Sequence, residues 1–320
     1  ETLADYGTVS FFGLGVFTTG IFRTWYGLGD YNSAAKMASL LLFFVFLLIM
    51  MERISRKKAK YHNVSGKLSS FSEYNLYGFK AWGAFAACSI PVFLGFFLPA
   101  AQLLFWAFET WSDMVNDSFL ELVRNSFLLG LGAALISVIL ALLLGYGMRI
   151  LPGKATIISV RTASIGYAIP GTVIAVGVII PFAWLDLRFD AFMKSSLGIS
   201  TGLIFSGTLI AVMFAYVVRF LAISLQSVES GLDKIKPSMD EAARSLGCRA
   251  RDTLFKIHIP LLKSSTLTAL MIVFVDVMKE LPATLILRPF DFNTLAVRAF
   301  ELASDERLAD SSTAALTIVF

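Results

Sequence analysis

Catalysis needs nucleophiles, proton carriers or metal ligands held close together, and this sequence keeps them apart. His62 and His258 are its two histidines, each distant from other candidate ligands, and Cys88 and Cys248 are its two cysteines, neither in a CxxC pair. Isolated residues of this kind do not make a zinc site or a Ser-His-Asp or Cys-His arrangement. Both histidines read as solvated loop residues, and the cysteines fall at different predicted depths, so no disulfide is expected. A nucleotide-binding loop, G-x-x-x-x-G-K-[ST], would cradle phosphates with its backbone amides. The nearest approach, Ser65-Gly66-Lys67-Leu68, lacks the first glycine and the final hydroxyl. The sequence therefore predicts no catalytic residue, no resident metal and no cofactor.

The groups that do stand out lie in apolar runs. Asp276, Lys279 and Glu280 sit near the outer end of one run, where ionisable side chains are candidates for a transport pathway. Their one-turn spacing fits mutual pairing along a helix face equally well, and the lysine can snorkel. Pro170-Gly171 lies in the middle of another run and should break its helix, as a gate or as a packing kink.

The elements that position these groups follow from composition. Hydrophobic residues make up 57% of the 320, charged residues 16%, and 29 are Phe; the mean hydropathy is +0.73. These values belong to a chain that sits in lipid. Stretches long enough to span run from Ala35 to Met51, Trp82 to Phe108, Ser126 to Met148, Ile158 to Trp184 and Thr201 to Ser224. A sixth runs from Ser264 to about Val277, continuing through Leu285, and a seventh begins near Ser312. Helices satisfy their own backbone in lipid, so the expected fold is an all-α integral membrane protein with about six to seven transmembrane helices.

The net charge of +4 is not a nucleic-acid footprint, because the basic residues cluster between spans, where they set topology. Residues 52–80 carry Arg53, Arg56, Lys57, Lys58, Lys60, Lys67 and Lys80, whereas Glu109 to Arg124 holds four acids and one arginine. The first is predicted inside and the second outside. Arg149, Lys154 and Arg161 mark another inside turn, Asp186 to Lys194 is outside, and Arg219 to Lys263 forms a second basic inside loop.

An internal repeat is also legible. Phe17-x-Thr19-x-x-x-Arg23-x-Trp25 matches Phe292-x-Thr294-x-x-x-Arg298-x-Phe300, and Asp30 and Ala34 fall on Asp305 and Ala309 at the same spacing. With a small gap, Glu1 to Ala4 falls on Glu280 to Ala283. The expected organisation is the tail of a first membrane repeat over 1–51, a basic cytoplasmic linker over 52–80, and a second repeat over 81–320. A start at Glu1 without methionine or signal pattern, and an end at Phe320 inside a short apolar run, predict a piece of a longer polypeptide.

The most specific segment is the second basic loop, Lys236-Pro237-Ser238-Met239-Asp240-Glu241-Ala242-Ala243-Arg244-Ser245-Leu246-Gly247, continuing to Ile257-His258-Ile259-Pro260. Ser238 as N-cap with Glu241 three residues on predicts a capping box and a short helix, and Gly247 permits a sharp exit. A second short helix is expected from about Arg249 to Lys256, ending before Pro260. These residues resemble the EAA loop of ABC importer permeases: Glu-Ala-Ala, three spacers, Gly, nine spacers, Ile-x-Leu-Pro. Glu241, Ala242, Ala243, Gly247, Ile257 and Pro260 match, with Ile259 in place of the usual leucine. An ordinary amphipathic connecting helix would explain a bare Glu-Ala-Ala, but not its spacing and predicted side together. Tyr167 to Val173, Lys279 to Leu285, Glu301 to Ser304 and Glu1 to Gly7 look like segments of the ferric-iron branch, whose members carry two fused membrane halves.

The resemblance implies a permease of the bacterial inner membrane rather than an enzyme. It implies separate cytoplasmic ATPase subunits docked at Glu241, Ala242 and Ala243, with Gly247 supplying the turn, and an external, periplasmic substrate-binding protein. It implies alternating access driven by ATP, with iron as cargo. Nothing in the local chemistry excludes thiamine, a polyamine or an oxyanion instead. An ion-gradient-driven secondary transporter would also show duplicated halves, but would place charges mid-span and need no docking loop.

Overall fold

The computed structural model describes residues 5–56 and 75–320; Glu1 to Ala4, His62 and the lysines of the linker at 57, 58, 60 and 67 lie outside the described residues. Every regular element among the described residues is helical. Among the described residues five helices are long and apolar enough to cross a membrane, and six if one sharply bent pair counts as a single span.

The organising element is α6 (Asp117–Ile150). Asn116 caps it, its side chain accepting a hydrogen bond from the Phe119 amide at 3.0 Å. At 34 residues it is about 51 Å long, more than a hydrocarbon core requires, so its ends project beyond the lipid. Its buried face is a run of small residues, Ser126, Gly130, Ala133, Ala134, Ser137, Ala141 and Gly145. Lipid tails compete with apolar side chains for helix surfaces, so helices in a membrane associate through close backbone approach along such small-residue faces. Along this face pack α9 (Leu209–Leu232) and α13 (Lys263–Met278). A Cβ at Gly130 would lie 3.0 Å from the Phe274 ring, and one at Gly145 3.1 Å from Leu232.

Around this trio lie α3 (Tyr31–Arg56) and α8 (Gly171–Leu197), which pack on each other. The helices α4 (Phe79–Val92) and α5 (Leu98–Met114) form one apolar run through a widened turn flanked by Pro91 and Pro99. Phe79, Trp82 and Phe108 project from it fully exposed, the pattern of a lipid-facing helix; its main protein contact is α16 (Leu308–Val319). At 12 residues α16 covers about 18 Å, short of a full span.

Three spans differ from the expected ones; the sixth, expected to continue through Leu285, breaks between Met278 and Pro282. The apolar run from Ile158 to Trp184 is two elements: α7 (Lys154–Ala163) ends, residues 164–170 turn, and α8 starts at Gly171. Pro170 supplies no amide and holds Ile169 extended, at ψ 128°, so the helix cannot run through. The segment from Asp186 to Lys194, expected as an outer loop, is instead the last part of α8. It stays helical because its carboxylates organise the loop that follows: Asp186 accepts from the Ile204, Phe205 and Ser206 amides at 2.7–2.9 Å, and Asp190 from Thr201 at 2.9 Å. That loop occupies the start of the run predicted from Thr201 to Ser224, and α9 is displaced toward the C-terminus to Leu209–Leu232.

The N-terminal and C-terminal ends share an element order. At the N-terminal end come α1 (Gly7–Phe11), then α2 (Phe17–Phe22) with a widened turn to Gly27, then α3 after Asp30. At the C-terminal end come α14 (Pro282–Leu287), α15 (Leu295–Ser304), and α16 after Asp305. The two sets touch: the Tyr26 hydroxyl donates to the Leu285 carbonyl at 2.9 Å, and the Tyr6 and Phe300 rings lie 5.5 Å apart.

Candidate functional site

The loop predicted to be cytoplasmic is two short helices at an angle. α10 (Pro237–Ser245) starts from Lys236, whose extended backbone leads into Pro237 at the first helical position. No side chain caps it, so the expected box between Ser238 and Glu241 does not form; the fixed φ of Pro237 starts the helix before Ser238 could cap it. It ends where Gly247 adopts φ +81°, the left-handed conformation that an L side chain resists. Gly247 N–H then reaches Arg244 and Cys248 N–H reaches Ala243, both at 3.0 Å, the paired bonds of a Schellman stop. The second helix, α11 (Ala250–Thr253), passes through a widened turn over Leu254–His258 into α12 (Ile259–Leu261), then bends by 73° into α13. It does not stop before Pro260 as expected: Ile259 N–H reaches back to Leu254, and the wider turn accommodates the proline ring.

Behind this helix pair lies a polar clamp. Asp240 accepts from Arg149 Nε at 2.6 Å through one carboxylate oxygen and faces His258 Nε2 at 2.6 Å through the other. Arg149, in the last turn of α6, also donates to the Leu232 and Ile235 carbonyls, each at 2.8 Å, closing the open end of α9. Tyr146, one turn earlier on α6, donates to the Ala250 carbonyl at 2.7 Å, and its ring lies 5.1 Å from that of His258. Burial pushes the Asp240 carboxyl up, but the hydrogen bonds from Arg149 and His258 outweigh it and hold the group below the usual carboxylate range. His258 is fully buried, not the solvated loop residue its isolation in sequence suggested.

A second cluster lies inside the bundle. Arg219, the eleventh residue of α9, is 8% exposed and Glu280 is 5% exposed; Nη1 of the arginine donates to Oε1 of the glutamate at 3.0 Å. Glu280 occupies the break between α13 and α14, where Oε1 also takes the Ala283 amide at 3.2 Å, one of the donors a helix start leaves open. Thr284 donates to the Glu280 carbonyl at 2.7 Å and shares a 2.5 Å hydrogen bond with Tyr216. The N-terminus of α8 abuts the pair. A Cβ on Gly171 would fall within clashing distance of Arg219 Nη1 and Glu280 Oε1, so a side chain there would have to displace the paired ends.

Three of the flagged pathway candidates, Pro170, Gly171 and Glu280, therefore meet at one place, and Arg219 joins them. Asp276 and Lys279 pair with each other at 2.9 Å, but Glu280 turns away from Asp276 and pairs across to α9. Loop charge alone places Arg219 in the second inside loop; the shift of α9 puts this arginine in the span. An arginine within an apolar run of helical length was the available signal. Of the loop residues, Glu241, Ala242, Gly247 and Pro260 are exposed, Ile257 is half-buried, and Ala243 is turned inward and buried. Exposed apolar side chains accompany Glu241: Met239, Leu246 and Phe255. Among the described residues no three His, Cys, Asp or Glu side chains gather as a metal site.

Residues 137–320, which include both clusters, match the family model of the binding-protein-dependent transport system inner membrane component. The chain belongs to this family. Its members are multi-pass transport permeases of the inner membrane, not enzymes. The chain is 26% identical to the Fe(3+)-transport system permease protein FbpB 2 of Haemophilus influenzae over 99% of its own length and 60% of that protein. It is 28% identical to the ferric transport system permease protein FbpB of Actinobacillus pleuropneumoniae, over 81% of this chain and 37% of that one. The chain thus spans well under two thirds of the length of these ferric relatives. A 2-aminoethylphosphonate transport system permease protein, PhnV of Salmonella typhimurium, is 27% identical over 76% of this chain and 89% of its own. In fold, the chain is similar to one in the crystal structure of a bacterial alginate ABC transporter in complex with alginate pentasaccharide-bound periplasmic protein. The TM-score is 0.57 at 13% identity, covering 75% of this chain and 92% of that one.

Proposed function

We propose that the full-length protein is the membrane-spanning permease of an ATP-driven importer for ferric iron, fed by an external binding protein and driven by cytoplasmic ATPase subunits that dock on residues 237–261. The observation that carries this reading is the loop itself. Glu241, Ala242, Leu246 and Phe255 are displayed on a helix pair whose other side is fastened to the spans, the form expected of a lever that receives a push. The ferric names of the relatives that match 81% or more of this chain support iron as the cargo. The phosphonate relative supports a second reading, an oxyanion importer, at nearly the same identity.

In this reading residues 1–51 are the tail of one membrane half and residues 81–320 form the second, and the shared order of α1–α3 and α14–α16 supports the duplication. The Arg219–Glu280 pair, with Pro170 and Gly171 against it, forms the gate on the substrate path. A buried charged pair beside broken helices is a functional site by default in a transporter.

The test is uptake of radiolabelled ferric iron into vesicles holding the full-length protein, its ATPase and its binding protein. Uptake that needs ATP and all three components is the expected result. No iron uptake, with ATP hydrolysis stimulated by a phosphonate-loaded binding protein, would keep the importer and replace the cargo. Uptake driven by an ion gradient without ATP would overturn the reading.

A further inference from the structure

Neighbouring residues on α10 face opposite ways. Glu241 points to solvent, while Asp240 turns inward with its carboxylate divided between two elements far apart in the chain. Arg149 brings the cytoplasmic end of α6 and, through its two carbonyl contacts, the end of α9; His258 brings the second loop helix. Tyr146 ties α6 to the start of that same helix. Beneath them Ala141, Leu225, Val228, Leu232, Ile235 and Leu262 form an apolar core that is separate from the one around Arg219.

We propose that Asp240 is a positioning residue, a carboxylate joint that fastens the docking loop to α6 so that loop and span move as one body. The proposal deepens the docking reading and rests on it for its purpose. A loop attached through backbone alone would swing on the bend at Leu262 and on the connection from α9, and a push on its outer face would be absorbed there. With Asp240 bridging Arg149 and His258, both helices of the loop are held to the same span. α6 lies along α9 and α13 through its small-residue face, so displacement of its end reaches the elements that carry Arg219 and abut Glu280. The geometry of the carboxylate matters more than its charge alone. Its two oxygens serve two partners, which an asparagine cannot do with two acceptors.

The test places spin labels at Leu151, just past α6, and Leu261, at the end of the second loop helix; both side chains are exposed. Distance distributions are recorded in the full-length protein with its ATPase, without nucleotide and with trapped ATP, alongside the ratio of iron imported to ATP hydrolysed. The expected wild-type result is one narrow distance that does not change with nucleotide. Asp240→Asn should broaden it, leave ATPase co-purification intact and lower the transport ratio at least tenfold, whereas His258→Gln, which keeps a donor toward the carboxylate, should stay narrow. A distance in Asp240→Asn as narrow as wild type overturns the joint. So does loss of ATPase co-purification in that variant, since Asp240 would then belong to the docking surface itself. If the wild-type protein binds no ATPase, the docking reading fails, and the label distances still decide whether the carboxylate holds loop and span together.

Discussion

Two charged clusters organise this protein, and they are built differently. At the C-terminal end of α6, one carboxylate is shared by two nitrogenous partners at 2.6 Å each, and the arginine spends its other donors on carbonyls at the end of α9. Inside the bundle, one arginine meets one glutamate at 3.0 Å, while Arg219 Nε and the hydroxyl of nearby Thr172 find no partner among the described residues. In the first cluster the carboxylate is bonded through both oxygens and partly exposed, and although the buried Nδ1 of His258 finds no partner among the described residues, a carboxylate shared in this way holds one arrangement firmly. A buried pair with spare hydrogen-bonding capacity is costly to desolvate and is stabilised by few contacts, so it can rearrange. The contrast separates a joint that should stay closed from a gate that should open.

The largest effect should come from halving the buried pair. Arg219→Met or Glu280→Gln alone strands a desolvated partner and should cost about 3–5 kcal/mol, read as loss of thermal stability in detergent. The double substitution to Met and Leu should recover most of that stability while transport stays lost. If the single substitutions leave stability unchanged, the pair is solvated and the contrast collapses. Next in size, Gly171→Val forces a side chain against the pair and should cost about 1–3 kcal/mol by overpacking. It should also hold the pair apart, measured as an increased rate of ion leak through vesicles, whereas the same substitution at Gly177, where a Cβ meets nothing, should not.

The smallest effect is the acid response of the cytoplasmic joint. The folded-state carboxyl of Asp240 lies below its unfolded value, so its contribution is present above that value, about 3.9, and is lost as pH falls through the lower folded one. The melting temperature of the wild type should exceed that of Asp240→Asn at pH 7, and the difference should begin to shrink as pH falls below about 3.9. A gap that does not shrink at all under acid would assign the effect to packing.

The helical membrane architecture was legible because hydropathy and loop charge act over tens of residues and survive errors of several residues at span ends. The turn at Gly247 was legible for a local reason, since only glycine takes that φ cheaply. Pro170 was visible as a break, but not what it broke against. Arg219 was missed because its role depends on where α9 begins, which the carboxylates of Asp186 and Asp190 decide by holding the preceding loop. His258 was missed because its partners, Asp240 and Tyr146, are 18 and more than a hundred residues away in sequence. Clusters assembled across a bundle leave no spacing to read, whereas a turn such as that at Gly247 is local and does.

ATPase docking is proposed at the outer face of the loop over Glu241 to Gly247. Replacing Glu241 to Gly247 with alanines in the full-length protein, and purifying it from membranes that contain its ATPase, tests it in one step. The predicted result is a stable permease that no longer retains the ATPase, and undiminished co-purification with normal transport would contradict it.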